Sequence, residues 1–169
     1  MSEKLNDIKM IVMDVDGTLT DGKIYLGKNG EEFKAFDVHD GYILAKCQEY
    51  GYITAIITGK NSKIVEKRAS DLRINEVYQG VTDKISVLKS LADKYNLSNS
   101  NIAYIGDDLN DMDCINYVAF SGCPADSIDE VKKSVNYVCK HNGGKGAVRE
   151  FVDYLISIWF RYLIYKFYK

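Results

Sequence analysis

Residues 8–20 read Ile8-Lys9-Met10-Ile11-Val12-Met13-Asp14-Val15-Asp16-Gly17-Thr18-Leu19-Thr20. A continuous apolar run of this length predicts a strand buried on both faces, the kind found in parallel sheets. It ends in two carboxylates two residues apart, and Gly17 then lets the chain bend sharply. Parallel α/β sheets bind ligands at the carboxyl ends of their strands. The stretch therefore predicts both a sheet and the position of its site. The plainer alternative for the acidic pair alone is a surface Asp-x-Asp turn.

The same form recurs outward from this stretch. Residues 53–58 (Ile-Thr-Ala-Ile-Ile-Thr) are β-branched and bounded by Gly51 and Gly59, and residues 101–106 (Asn-Ile-Ala-Tyr-Ile-Gly) repeat the pattern. Residues 117–121 and 136–138 are weaker strand candidates. Helical spacing lies between them: Ile43, Leu44 and Cys47 in residues 42–50; Ile64, Val65, Ala69 and Leu72 in residues 62–72; Ile85, Leu88, Leu91, Ala92 and Tyr95 in residues 82–95. Alternating strands and helices predict an α/β fold, a Rossmann-like parallel sheet with helices on both faces. Residues 22–37 break the alternation. They predict a β-hairpin of residues 23–26 and 32–36, turning through Gly27-Lys28-Asn29-Gly30, because Asn-Gly tolerates positive φ. Leaving directly after the acidic pair, the hairpin should project over the site.

At 169 residues the chain suits one domain, and 46% hydrophobic with 27% charged residues suits an ordinary core. The net charge of -2, with no basic block interleaved with aromatics, argues against a nucleic-acid partner. The N-terminal residues show no apolar stretch resembling a signal peptide, so a cytoplasmic location is expected. Cys47, Cys114, Cys123 and Cys139 form no Cys-x-x-Cys pair and are expected to be reduced, mostly buried thiols.

A second acidic stretch, Gly106-Asp107-Asp108-Leu109-Asn110-Asp111, also follows an apolar strand. Carboxylates brought close together repel and raise each other's pKa. A divalent cation removes that cost, and hard oxygen ligands favour Mg²⁺. A helix start favours Asp too, but explains one of the three better than all of them. Thr58-Gly59 at a strand end and Lys84 at a helix start offer a hydroxyl, a backbone N–H and an ammonium suited to phosphate oxygens. Taken singly, Thr58 reads equally as a helix cap and Lys84 as a solvated lysine.

In this order, Asp-x-Asp-Gly-Thr, strand-Thr-Gly, Lys and Gly-Asp-Asp-x-x-Asp, the four elements resemble the motif series of the haloacid dehalogenase superfamily, from about residue 8 to residue 150. The resemblance implies that Asp14 is the nucleophile, becoming an acyl phosphate. Asp16 would be the general acid and then the base. The Asp14 side chain, the Asp16 carbonyl and Asp107 would hold Mg²⁺, with Asp108 and Asp111 in support. Thr58, the Gly59 N–H and Lys84 would neutralise the phosphoryl charge. The short spacings between motifs imply a member without a cap domain, which a neighbouring subunit could close.

Gly22-Lys23-Ile24-Tyr25, Phe36-Asp37-Val38-His39-Asp40-Gly41-Tyr42, Thr58-Gly59-Lys60 and Gly143-Gly144-Lys145-Gly146-Ala147-Val148-Arg149-Glu150 resemble the family of 3-deoxy-D-manno-octulosonate 8-phosphate phosphatases. That likeness implies a phosphorylated sugar acid as substrate and a homotetramer in which hairpins pack together and the glycine-rich segment reaches a neighbouring site. Lys60, Arg68, His39, Gly143 and Gly144 become candidates for contacting the sugar acid or closing the site. The octulosonate enzymes commonly carry Arg where this chain has His39 and Lys60, and Lys cannot form the bidentate fork that Arg makes with a carboxylate. A nine-carbon ulosonate 9-phosphate is thus the alternative substrate. Two other classes are a non-catalytic regulatory module, opposed by the presence of every motif residue, and a phosphoacceptor signalling domain, opposed by Thr58 where a middle strand should end in Asp.

Residues 154–169 depart from the family pattern and divide the chain into a phosphatase domain, 1–153, and an aromatic helical tail. Arg161 interrupts a run shorter than the roughly 20 residues a membrane span needs. The plainer expectation is a last helix packed on the domain or on another subunit. The sharper one is a basic aromatic helix lying on a membrane surface.

Overall fold

In the computed structural model, which describes residues 5–29 and 32–167 with side chains as far as Ile158, the opening stretch forms the middle strand of the sheet. β1 (Met10–Met13) pairs with β4 (Ile53–Ile57) on one side and β6 (Ile102–Ile105) on the other, both parallel. β5 (Glu76–Tyr78), β7 (Phe120–Cys123) and β8 (Tyr137–Val138) complete a six-stranded parallel sheet in the order β5-β4-β1-β6-β7-β8. The strand order reverses at β1, which opens a crevice at its carboxyl end.

Period-2 alternation along β1 sends Ile11 and Met13 to one face and Met10 and Val12 to the other. The first face packs on α1 (Val38–Lys46), α2 (Lys63–Asp71) and α6 (Ala147–Phe167), through Leu44, Val65, Ala69, Val148 and Phe151. The second packs on α3 (Lys84–Lys94), α4 (Met112–Tyr117) and α5 (Asp129–Ser134), through Leu88, Leu91, Ile115 and Val131. This is the expected sheet with helices on both faces. Burying a Leu or Phe in either layer stabilises the fold by about 1.5–3 kcal/mol.

The hairpin is shorter than expected. β2 (Tyr25–Leu26) and β3 (Glu32–Phe33) pair antiparallel, with Tyr25 opposite Phe33. Gly30 of the predicted turn lies outside the described residues. Only this hairpin stands between β1 and α1, so no cap domain is inserted there. α1 begins at Val38 rather than near residue 42, because Asp37 caps it by accepting from the N–H groups of His39 and Asp40. β7 begins at Phe120, three residues later than expected, because α4 runs on to Tyr117. All four cysteines are free and buried.

α6 crosses the 153/154 boundary without a break. Leu155 and Ile156 are buried, and Tyr154 stacks on Tyr137 at 4.6 Å and on Phe120 at 5.6 Å. The start of the tail therefore packs on the domain, while the tail side chains from residue 159 onward lie outside the described residues. Among the described residues no helix is long and apolar enough to cross a membrane.

Candidate active site

Three parallel strands deliver the chemistry to one place. Asp14 follows β1 and its N–H donates to the Ile105 carbonyl of β6 at 3.1 Å. Asp107 stands two residues beyond β6, and Thr58 follows β4, buried, its N–H donating to the Tyr78 carbonyl at 2.9 Å. Lys84 opens α3 at 3% exposure, its Nζ 2.7 Å from Asp111 Oδ1 and 3.1 Å from Asp14 Oδ1. Carboxylate oxygens of Asp14, Asp107 and Asp111 come within 4.8 Å of one another.

Asp111 and Asp108 of the second motif have opposite environments. Asp111 is fully buried and organises the loop: its Oδ2 accepts from the N–H groups of Asp107 at 3.0 Å and Asp108 at 3.3 Å, and its Oδ1 from the Tyr104 hydroxyl at 2.6 Å. Asp108 is exposed and caps the short turn after it, accepting from Leu109 N–H at 2.7 Å. Thr18 Oγ1 ties the first motif to the second by donating to Asp107 Oδ1 at 2.8 Å. Gly17 makes that approach feasible. It sits at φ +94°, and a Cβ there would fall 2.0 Å from Asp107 Oδ2.

Burial of these acids has a cost. Desolvation, then the neighbouring Asp111, pushes the Asp14 carboxyl up to about 6 despite Lys84. Desolvation also raises Asp107 to about 7, against the Thr18 hydrogen bond and with Asp14 and Asp111 adding to the rise. Lys84 stays above the usual lysine range: burial disfavours its charge, but Asp14 and Asp111 outweigh it. Asp14 Oδ1 is buried without a hydrogen bond of good geometry. A converging set of hard oxygens from three carboxylates, of which Asp14 and Asp111 face the Lys84 ammonium and Asp107 does not pair with it, fits a divalent cation.

Residues 28–152 match the family described as haloacid dehalogenase-like hydrolase. The chain is 41% identical over 153 residues to the 3-deoxy-D-manno-octulosonate 8-phosphate phosphatase of Escherichia coli K12, covering 90% of this chain and 81% of that one. The chain belongs to the haloacid dehalogenase-like hydrolases, in the family of the 3-deoxy-D-manno-octulosonate 8-phosphate phosphatases. Among solved structures this hydrolase resembles the Moraxella catarrhalis phosphatase in complex with magnesium ion, phosphate ion and a KDO molecule. The TM-score is 0.91 at 37% identity, covering 98% of this chain and 97% of that one. The Yersinia pestis phosphatase matches with the same TM-score, 0.91, at 37% identity, over 94% of this chain and 85% of that one.

The remaining candidates of this hydrolase divide by place. Gly59 and Lys60 are exposed at the rim just past Thr58. Gly143 and Gly144 reach the motif loop of their own chain: Gly144 N–H donates to the Thr18 carbonyl at 3.1 Å, and a Cβ on Gly143 would lie 1.8 Å from the Gly17 carbonyl oxygen. The buried Asp40 anchors this segment by accepting from Gly146 N–H at 3.3 Å and Arg149 N–H at 2.6 Å. Arg68 lies instead between α1 and α2, donating to the Asp37 carbonyl at 3.3 Å with its guanidinium over Phe36. His39 is exposed and lines a groove of about 340 Å³ with His141, Lys145 and Arg149, which none of the motif carboxylates borders. The structure thus does not bring Arg68 or His39 to the carboxylate cluster of the same chain.

Two residues escaped the sequence reading. Tyr104 looked like one more apolar strand position, yet its hydroxyl holds Asp111. Lys34, in the hairpin, pairs with the Asp16 carboxylate. A lysine in a predicted hairpin carries no signal that distinguishes it from a solvated one.

Proposed function

We propose that this chain is a Mg²⁺-dependent phosphatase that hydrolyses 3-deoxy-D-manno-octulosonate 8-phosphate through an aspartyl-phosphate on Asp14. The observation that carries this function is the convergence of Asp14, Lys84, Asp107 and Asp111 at the carboxyl end of the central strands. It occurs in a fold shared with a phosphatase solved with magnesium, phosphate and KDO.

Asp14 attacks phosphorus, the bond from phosphorus to the sugar oxygen breaks, and Asp16 gives that oxygen a proton. Asp16 then takes a proton from the water that attacks phosphorus and releases Asp14. Lys84, Thr58 and the Gly59 N–H orient the phosphoryl oxygens and offset their charge. Asp14, Asp107 and the Asp16 carbonyl would hold Mg²⁺, with Asp111 and Asp108 in support. When bound, the ion supplies the positive charge that lets the nucleophile and the phosphoryl oxygens approach. Lys60 at the rim, with Gly143 and Gly144 behind the motif loop, completes the sugar-acid site.

We further infer a homotetramer in the cytoplasm. The hairpin and its neighbourhood leave Ile24, Leu26, Phe33, Val38 and Tyr42 between 58% and 73% exposed. Apolar surface so concentrated favours self-association. In such an assembly Arg68 and His39, remote from the cluster of their own chain, would meet substrate only across a subunit boundary. We assign residues 1–153 to the phosphatase domain and 154–169 to the tail, which continues the last helix as far as Phe167.

Phosphate release with Mg²⁺ from a substrate panel tests the function. A strong preference for octulosonate 8-phosphate over nine-carbon ulosonate 9-phosphates and hexose phosphates is expected. Preference for a nine-carbon substrate would move the assignment to the alternative sugar acid. Absence of release from every substrate would remove the catalytic function.

A further inference from the structure

We propose that Lys34 is a positioning residue for the two proton transfers of Asp16, an assignment that rests on the phosphatase mechanism above. Lys34 follows β3 in the hairpin, 18 positions from Asp16 in sequence. Its side chain is 3% exposed, and its ammonium pairs with Asp16 Oδ1 while standing 3.1 Å from Glu32 Oε1. A lysine side chain this enclosed is uncommon unless its charge is matched, and here two carboxylates match it, one on the motif loop and one on the hairpin.

The arrangement has a chemical consequence. A proton-transfer group contributes only when its carboxyl oxygen is held within hydrogen-bond reach of the reacting atom. In the first step Asp14 bonds to phosphorus, the sugar oxygen leaves, and the Asp16 proton passes to that oxygen. In the second step the water oxygen bonds to phosphorus, the bond to Asp14 breaks, and a water proton returns to Asp16. Throughout, Lys34 Nζ holds Oδ1 of the carboxylate and limits its rotation, and Glu32, on the hairpin, holds Lys34. The hairpin is thereby tied to the proton-transfer group and does more than cover the site.

p-Nitrophenyl phosphate separates the two steps. p-Nitrophenolate leaves without a proton, so the first step does not call on Asp16, whereas hydrolysis of the aspartyl-phosphate does. On rapid mixing with Mg²⁺, Lys34→Met is expected to release a burst approaching one p-nitrophenolate per site. Steady turnover should then be at least about tenfold slower than wild type, a modest fraction of the 10²–10⁴-fold that general acid–base catalysis supplies. KM should change little, and Lys34→Arg should restore most of the rate. Glu32→Gln should move kinetics the same way but less, and it carries the test if melting curves show that Lys34→Met does not fold. Wild-type rates in Lys34→Met would overturn the assignment. So would burst and steady rates falling together with a raised KM and no rescue by Arg. Turnover by the wild type alongside such results would leave the phosphatase standing, whereas a wild type that releases no phosphate would remove both.

Discussion

Two neighbouring stretches of the central strand line are equally enclosed and chemically opposite. Met10–Met13 are each 0% exposed, apolar, and paired by backbone hydrogen bonds to strands on both sides. Asp14, the next residue, is 4% exposed, yet it carries a carboxylate with an oxygen lacking a good hydrogen bond, beside two further acids. Burial stabilises the first stretch and opposes the second. The fold thus tolerates an unfavourable cluster where the strands end, because the interior just upstream holds it rigidly. Residues that enclose charge at that rim are there for chemistry, and those of the interior for stability.

Replacing one residue from each side of this divide gives the largest effects. Asp14→Asn should lower phosphate release by at least about 10³-fold, as loss of a nucleophile does. Its melting temperature should hold steady or rise, because one of three crowded carboxylates is gone. Met10→Ala should do the reverse: about 2–5 kcal/mol of stability lost to the cavity, with kcat per folded molecule unchanged. Denaturant titration with active-site-normalised assays checks both, and a variant that lost stability and activity together would break the comparison. Gly17→Ala lies on the divide. A Cβ would meet Asp107 and the positive φ would be strained, so activity should fall by about a hundredfold, the cost of misplacing a site group by about 1 Å.

The smallest effect is one of pH. Asp107 has a folded pKa of about 7 against an ordinary 3.8. A raised carboxyl pKa contributes stability that is fully present below the ordinary value and is lost as pH rises through about 7. In metal-free protein, the gain in melting temperature from Asp107→Asn should therefore be larger at pH 8 than at pH 5. For a domain of this size the scale is about 2–4 °C per kcal/mol. Mg²⁺ should shrink or reverse that gain at pH 8. A gain independent of pH would show that Asp107 is not held against its charge.

Much of this divide was legible in the sequence, because carboxylates directly after apolar runs mark strand ends. The strand ends follow from that signal and the hairpin from Asn29-Gly30, whereas the meeting of Asp14, Lys84 and Asp107 was implied by the resemblance of the motif series. What failed to show was direction. Asp108 and Asp111 look alike in a row of letters, but the short turn at residues 109–111 sends one to solvent and the other beneath Lys84. Arg68 and His39 are near the motifs in sequence, yet Arg68 reaches from α2 to the start of α1 and His39 stays exposed at the entrance to α1. Tyr104 and Lys34 were invisible because a strand tyrosine and a hairpin lysine have commoner fates in the core and in water. The short strand β5 is only partly buried, and α4 and α5 have six residues each, too few for apolar spacing to mark them.

Trapping the covalent intermediate tests the role of Asp14 directly. Enzyme mixed with octulosonate 8-phosphate and Mg²⁺ is quenched in acid within milliseconds, reduced with borohydride, and mapped by peptide mass. Hydride reduction is expected at residue 14 alone, absent without substrate and absent in Asp14→Asn. Reduction at another carboxylate, or none in an enzyme that is turning over, would contradict an aspartyl-phosphate on Asp14.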